Sequence, residues 1–160
     1  MNKTQLLEQI ITELESVHKN AVDATKLAHE TATHGETVAE NKYDTFGLEA
    51  SYLAHGQAKR VAECETDLVA YKKLTAKVFS DKKAIGLGAL IYLNDSNNNE
   101  KIIFLGPTAG GLKIVFNNDH IMVVTPSAPL GKSLIGRYVG DEIEMMAAGQ
   151  KNTFEIIALY

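Results

Sequence analysis

Along the first half of the chain, apolar or small residues recur at alternating steps of three and four: Leu7, Ile10, Leu14, Val17, Ala21, Ala24 and Ala28. That spacing keeps one face of an α-helix apolar and forms a heptad seam. The pattern returns in Ala54, Gln57, Val61, Cys64, Leu68, Tyr71, Thr75 and Val78, and neither run contains a proline. Between the two lie Gly35 and a polar stretch up to Asn41, a link short enough to fold the second helix back antiparallel to the first. The pattern predicts a two-helix coiled-coil hairpin over residues 1–79 with its tip near 34–44. Large residues (Ile10, Leu14, Leu68, Tyr71) fall at the open end and small ones (Ala21, Ala24, Ala28, Ala50, Ala54) near the turn, which predicts a slim tip. A plain bundle or a dimerising coiled coil shares this periodicity. Two complementary seams in one chain favour the intramolecular pairing, and hence a monomer.

Past Val78 the period changes. Ser80, Asp81, Lys82 and Lys83 form a polar link, after which the segments ALIYL, KIIFL, LKIVF, HIMVV, EIEMM and FEIIA are short and rich in branched residues. They are separated by the turn formers DSNNNE, GPTAGG, NND and AAGQKN. An antiparallel sheet follows. The stretch SAPLGKSLIG alone breaks the series, and reads as a short helix ended by Gly136. The second half, 84–160, is thus an α+β domain.

Composition narrows the possibilities. The 160 residues carry a formal charge of -4, which argues against a general nucleic-acid binder, because such proteins need a basic surface to displace counterions from phosphates. The single Cys64 excludes an internal disulfide, Met1 is followed by polar residues rather than an apolar signal core, and no apolar run reaches the roughly 20 residues of a membrane span. A cytoplasmic protein without a membrane partner is expected. Gly131–Ser133 reads GKS, but a phosphate loop requires a glycine where this chain has Pro126. The glycines of GPTAGG between two strands read as a turn. Five scattered histidines and one cysteine offer no zinc spacing, Cys64 falls on the helical seam as a core residue, and no catalytic triad can be assembled.

What remains is the tip. Between Glu30 and Asp44 there are four acids, Glu30, Glu36, Glu40 and Asp44, against the single base Lys42. Acids near the start of a helix are favoured by its dipole, so a solvated turn accounts for part of this. Carboxylates there also suit a hard cation such as Mg²⁺, which takes one or two protein carboxylates and fills its shell with waters and phosphate oxygens.

His34 to Tyr43 read H-G-E-T-V-A-E-N-K-Y, which resembles the H-G-D-L-K-E-N-A-E-Y tip of the Gre family of bacterial transcript-cleavage factors. Ala128 to Arg137 read A-P-L-G-K-S-L-I-G-R, similar to that family's S-P-I-A-R-x-L-I-G-K, and Asp141 and the closing FEIIALY continue the likeness. The resemblance spans nearly the whole chain. It implies that the second domain is FKBP-like and docks on RNA polymerase through Pro129, Leu130, Leu134 and Ile135. It also implies that the hairpin enters the polymerase secondary channel, with Asn41 beside the partner. Glu36 and Glu40 would there share Mg²⁺ with the polymerase, with no tightly bound cofactor. The chain would be an accessory factor rather than an enzyme, touching nascent RNA indirectly and stimulating the polymerase's own cleavage of backtracked transcripts. Glu36 stands where the family has aspartate, and one residue is inserted between the acids. Counting back from G-Q-A-K-R at Gly56 instead places Asp44 at the family's glutamate and Asn41 at its aspartate. Asp44 is therefore a third candidate, and a channel-occupying regulator without efficient cleavage is the alternative function. An FKBP-like fold also raises prolyl isomerisation, for which the second half holds few aromatic residues and no tryptophan.

Overall fold

The computed structural model of the protein describes residues 2–33, 46–147 and 149–160. Two long helices come first, α1 (Lys3–Thr33) and α2 (Phe46–Lys72). Asn2 caps α1: its side-chain Oδ1 accepts the backbone N–H of Gln5 at 3.3 Å, and its carbonyl accepts that of Leu6 at 3.1 Å. The seam lies where the spacing put it, with Leu7, Ile10, Leu14, Ala21 and Ala28 buried on α1 and Cys64 and Tyr71 on α2. His18 and Glu65 meet across it, Nε2 to Oε1, at 3.5 Å. The second seam is shorter than its periodicity suggests. α2 stops at Lys72, and Val78 is 80% exposed. Among the described residues no helix is long and apolar enough to cross a membrane.

Compactness divides the chain within the helices rather than at the 80–83 link. One unit is Ile11–Val69; the other joins Met1–Ile10 to Ala70–Tyr160. Contacts inside the second unit give the reason. The Lys3 ammonium donates to the carbonyls of Lys77 at 2.7 Å and Tyr160 at 2.9 Å, and lies 4.5 Å from the centre of the Phe79 ring. Tyr71, the last seam residue inside α2, tilts over Phe104 with ring centres 6.4 Å apart and donates its hydroxyl to the Thr108 carbonyl at 3.1 Å. Gly106 makes room for it, because a Cβ at that position would overlap the Tyr71 hydroxyl and come within 2.9 Å of Val123. With Tyr71 seated, the chain leaves the helix through a turn in which the Leu74 N–H bonds the Tyr71 carbonyl at 3.0 Å.

All six expected strands are present: β1 (Leu90–Asp95), β2 (Glu100–Leu105), β3 (Lys113–Phe116), β4 (Asp119–Val124), β5 (Glu142–Ala147) and β6 (Gln150–Leu159). They form one sheet in the order β3-β4-β2-β1-β6-β5. The expectation of a purely antiparallel sheet is corrected at one pair, because β2 and β4 run parallel with Ile102 opposite Ile121 and Leu105 opposite Val124. The cause is local. Asn117 and Asn118, with φ of 52° and 70°, close β3 and β4 into a two-residue hairpin of the kind that needs left-handed backbone. That hairpin joins β2 by its second strand, so the Gly106–Gly111 loop passes the end of β4, where Gly111 N–H bonds the Val123 carbonyl at 2.8 Å. One face of the sheet carries the core of Ile91, Leu93, Ile103, Leu105, Phe154 and Ile156. The short helix α3 (Pro129–Leu134) packs on that core through Leu134. Phe104, which alternates to the opposite face, is the residue that meets Tyr71.

Replacing Tyr71 by Phe removes one hydrogen bond and should cost about 1 kcal/mol, whereas Gly106→Ala should cost about 1 to 3 kcal/mol through overlap. In denaturant titrations the double variant should cost less than the sum, because the lost hydroxyl is the atom the new Cβ strikes; strict additivity would count against the contact. A second test uses pH. Burial pushes the Lys3 ammonium down from 10.5 to about 8. Below pH 8 folded and unfolded chains both carry the charge, and the desolvation cost is fully present. Between pH 8 and 10.5 the folded chain has shed a proton that the unfolded chain keeps, so stability rises with pH. The stability of wild type relative to Lys3→Met should therefore increase across that window, and a flat difference would contradict it.

Candidate functional site

The end of α1 and the start of α2 bracket residues 34–45, the acidic link expected between them. Glu36, Glu40, Asn41 and Asp44 lie in that link, outside the described residues. On the described side, Glu49 stands in the first turn of α2, where the helix dipole favours an acid. Lys26, His29 and Glu30 line a shallow cavity of about 260 Å³ near the end of α1. Among the described residues no three His, Cys, Asp or Glu side chains converge on a metal-sized site. An acidic groove of the sheet unit, between the β1–β2 loop and Glu142 and Glu155, has Asp95 turned inward on its own loop. Hydrogen bonds from the Asn99 side chain and backbone, with that of Asn97 behind them, hold the Asp95 carboxyl below its usual range.

The second candidate element, 125–137, is rigidly built. Pro129 opens α3 at a position where a missing N–H costs nothing. Gly131 presses against the Thr125 carbonyl so closely that no Cβ fits. Ser133 Oγ donates to the Leu130 carbonyl at 2.8 Å. Past the helix, Gly136 adopts a φ of +78°, and a reciprocal backbone pair with Ile85 fastens the segment: Gly136 N–H to Ile85 O at 3.0 Å, and Ile85 N–H to Arg137 O at 2.8 Å. Gly131, Lys132 and Ser133 therefore sit within a helix and form no phosphate loop.

This geometry divides the four residues expected to touch a partner. Leu134 is wholly buried in the sheet core, which corrects its assignment from a surface contact to the anchor of α3. Leu130 is half-buried and packs against the same core. Pro129 and Ile135 face solvent, Ile135 at 46% exposure. Tyr138, three residues on and 47% exposed, adds an aromatic surface that the sequence pattern did not single out. Its backbone N–H bonds the Asp141 carboxylate at 3.0 Å, which fixes its place beside the segment.

Two paired helices bracketing an acidic link are followed by a six-stranded α+β unit with an exposed apolar helix end. No family model matches the sequence. The transcription elongation factor GreA of Brucella melitensis is 32% identical over 132 residues, covering 81% of this chain and 76% of that protein. The transcription inhibitor protein Gfh1 of Thermus thermophilus is 22% identical over 153 residues, covering 96% and 92%. A crystal structure of Thermus aquaticus Gfh1 aligns over 96% of this chain and 92% of its own, with 21% identity and a TM-score of 0.42. The chain belongs to the Gre family of transcription elongation factors, an assignment that rests on the sequence relatives alone.

The division of labour within 129–135 is testable. Leu134→Ala should destabilise the sheet unit by about 2 to 5 kcal/mol, while Ile135→Ser should change it by no more than about 1 kcal/mol. Thermal unfolding of the two variants should therefore separate widely, and equal effects would contradict the burial assigned here.

Proposed function

We propose that this protein binds RNA polymerase, enters its secondary channel with the helical hairpin, and stimulates the polymerase's own cleavage of backtracked RNA. The observation that carries the reading is the placement of H-G-E-T-V-A-E-N-K-Y in the link between two paired helices of a Gre-family chain. Glu36 and Glu40 are the working carboxylates, with Asp44 in reserve should the alternative register hold. Pro129 and Ile135, with Leu130 partly accessible beside them, supply the docking surface, and Asn41 lies at the partner's active centre. The donor chemistry fits a Mg²⁺ shared with the polymerase, since two carboxylates leave most of its coordination shell to waters and phosphate oxygens. Such an ion supplies charge stabilisation at the phosphate and a more acidic bound water. The chain itself binds, orients and holds the carboxylates in place, which makes it an accessory factor in the cytoplasm and not a nuclease.

A second reading, occupation of the channel without efficient cleavage, is favoured by a specific observation. The Gfh1 relative, named a transcription inhibitor, matches 96% of this chain against 81% for the Brucella factor. The longer Glu36 side chain and the residue inserted before Glu40 also bear on it, because a misplacement near 1 Å costs about 10²-fold in rate.

Halted, backtracked polymerase separates the two. Adding wild-type protein should shorten the RNA from its 3′ end, and Glu36→Gln with Glu40→Gln should abolish that shortening while polymerase binding stays intact, most severely at low Mg²⁺. Normal cleavage by that double variant combined with loss in Asp44→Asn would assign the other register. Slowed extension with no shortening by wild type would establish the channel-occupying reading instead.

A further inference from the structure

The sixteen basic and twenty acidic residues are unevenly divided between the two units. The unit Ile11–Val69 holds five bases and eleven acids, a net charge of -6, while the other holds eleven bases and nine acids, a net of +2. The positive sign comes from one place. Lys72 to Lys83 contains Lys72, Lys73, Lys77, Lys82 and Lys83 against the single Asp81, and all five lysines are exposed. Without this strip the same unit would have six bases and eight acids.

A run of lysines in a connecting segment usually serves solubility, and a floppy one would do no more. Here the backbone that carries the charges is fixed. The Lys3 ammonium holds the Lys77 carbonyl at 2.7 Å, the Lys83 ammonium holds that of Val78 at 3.2 Å, and the Lys83 N–H bonds the Ser80 carbonyl at 2.8 Å. Phe79 is half-buried against the sheet core beneath Lys3. Val78, 80% exposed, stands among the charges as an apolar contact. We infer that Lys72–Lys83 is a preformed electrostatic docking strip for an acidic protein surface, an inference that rests on the polymerase reading above and places that surface on the polymerase. Nucleic acid is the less suitable occupant. The strip presents no exposed aromatic ring for base stacking and no arginine for bidentate phosphate contact, and the chain as a whole is anionic. A localised positive strip on an anionic molecule orients its approach and raises association rates by about 10- to 10³-fold, an effect that salt screens.

The test compares the full chain with a Lys73→Gln, Lys77→Gln, Lys82→Gln variant, which keeps Lys3 and Lys83 and the bonds they make. Association with immobilised polymerase is followed at about 50 mM and about 500 mM salt, where screening lengths differ severalfold. The association rate constant should fall at least about tenfold at the lower salt and converge with wild type at the higher. Lysine-to-arginine changes at the three positions should preserve it, and the melting curve should not move. Equal association of wild type and variant at both salts would overturn the inference while leaving the polymerase reading intact. Unchanged polymerase association with loss of binding to a short single-stranded RNA would also overturn it, in favour of nucleic acid. A wild-type chain that binds no polymerase at either salt would remove both readings together.

Discussion

Tyr71 can lie where it does only because residue 106 has no Cβ. That single absence lets the hydroxyl reach the Thr108 carbonyl and the ring tilt over Phe104, so that the end of one long helix becomes part of the sheet's packing. Lys3 does the corresponding service for the other helix, by bonding carbonyls that belong to the connecting segment and to β6's continuation. A two-helix hairpin with free ends has only its own seam to hold it, and isolated helices owe little to propensity alone. Here both helix ends are fastened within the same compact body as the sheet.

Much of this was legible from spacing. The 3–4 alternation located most of the buried face of α1, though it passed over Leu6 and included Val17 and Ala24, which are half-buried, and runs of branched residues between turn formers located every strand, because both signals are local and repeated. What escaped was set by contacts distant in sequence. The helical period continues through Thr75 and Val78, yet α2 ends at Lys72, because the docking of Tyr71 on Phe104 and Gly106 is invisible to periodicity. The parallel β2–β4 pair escaped for the same reason: each strand was evident, but which edge of the β3–β4 hairpin meets β2 is a choice of topology. Leu134 and Ile135 are neighbours in one motif, and only the fold assigns the first to the core and the second to the surface. Of the candidate site, the acid cluster is read from residue types alone, and Glu36, Glu40 and Asp44 lie outside the described residues.

The molecule separates its charge by sign. Negative charge is concentrated in the hairpin unit and positive charge in the strip beside the sheet. Carboxylates suited to a hard cation and lysines suited to an acidic surface would interfere if mixed, since opposite charges in reach of one another pair and neutralise. Rigid α3, with a proline start and a glycine that permits close approach to Thr125, presents its exposed apolar residues from a base that Leu134 holds in place.

The strand order has a consequence for how the protein is made. β1 is flanked by β2, four residues further along the chain, and by β6, with Ile91 opposite Leu159. A growing chain can pair α1 with α2 as soon as residue 72 has emerged, but β1 keeps one unpaired edge until β6 is synthesised. At about 5 to 20 residues per second that interval lasts several seconds. During it both helix ends lack the contacts of Tyr71 and Lys3 that later fasten them, while an apolar sheet edge waits open. The lysines of 72–83 emerge ahead of that edge and add positive charge to the chain that precedes it.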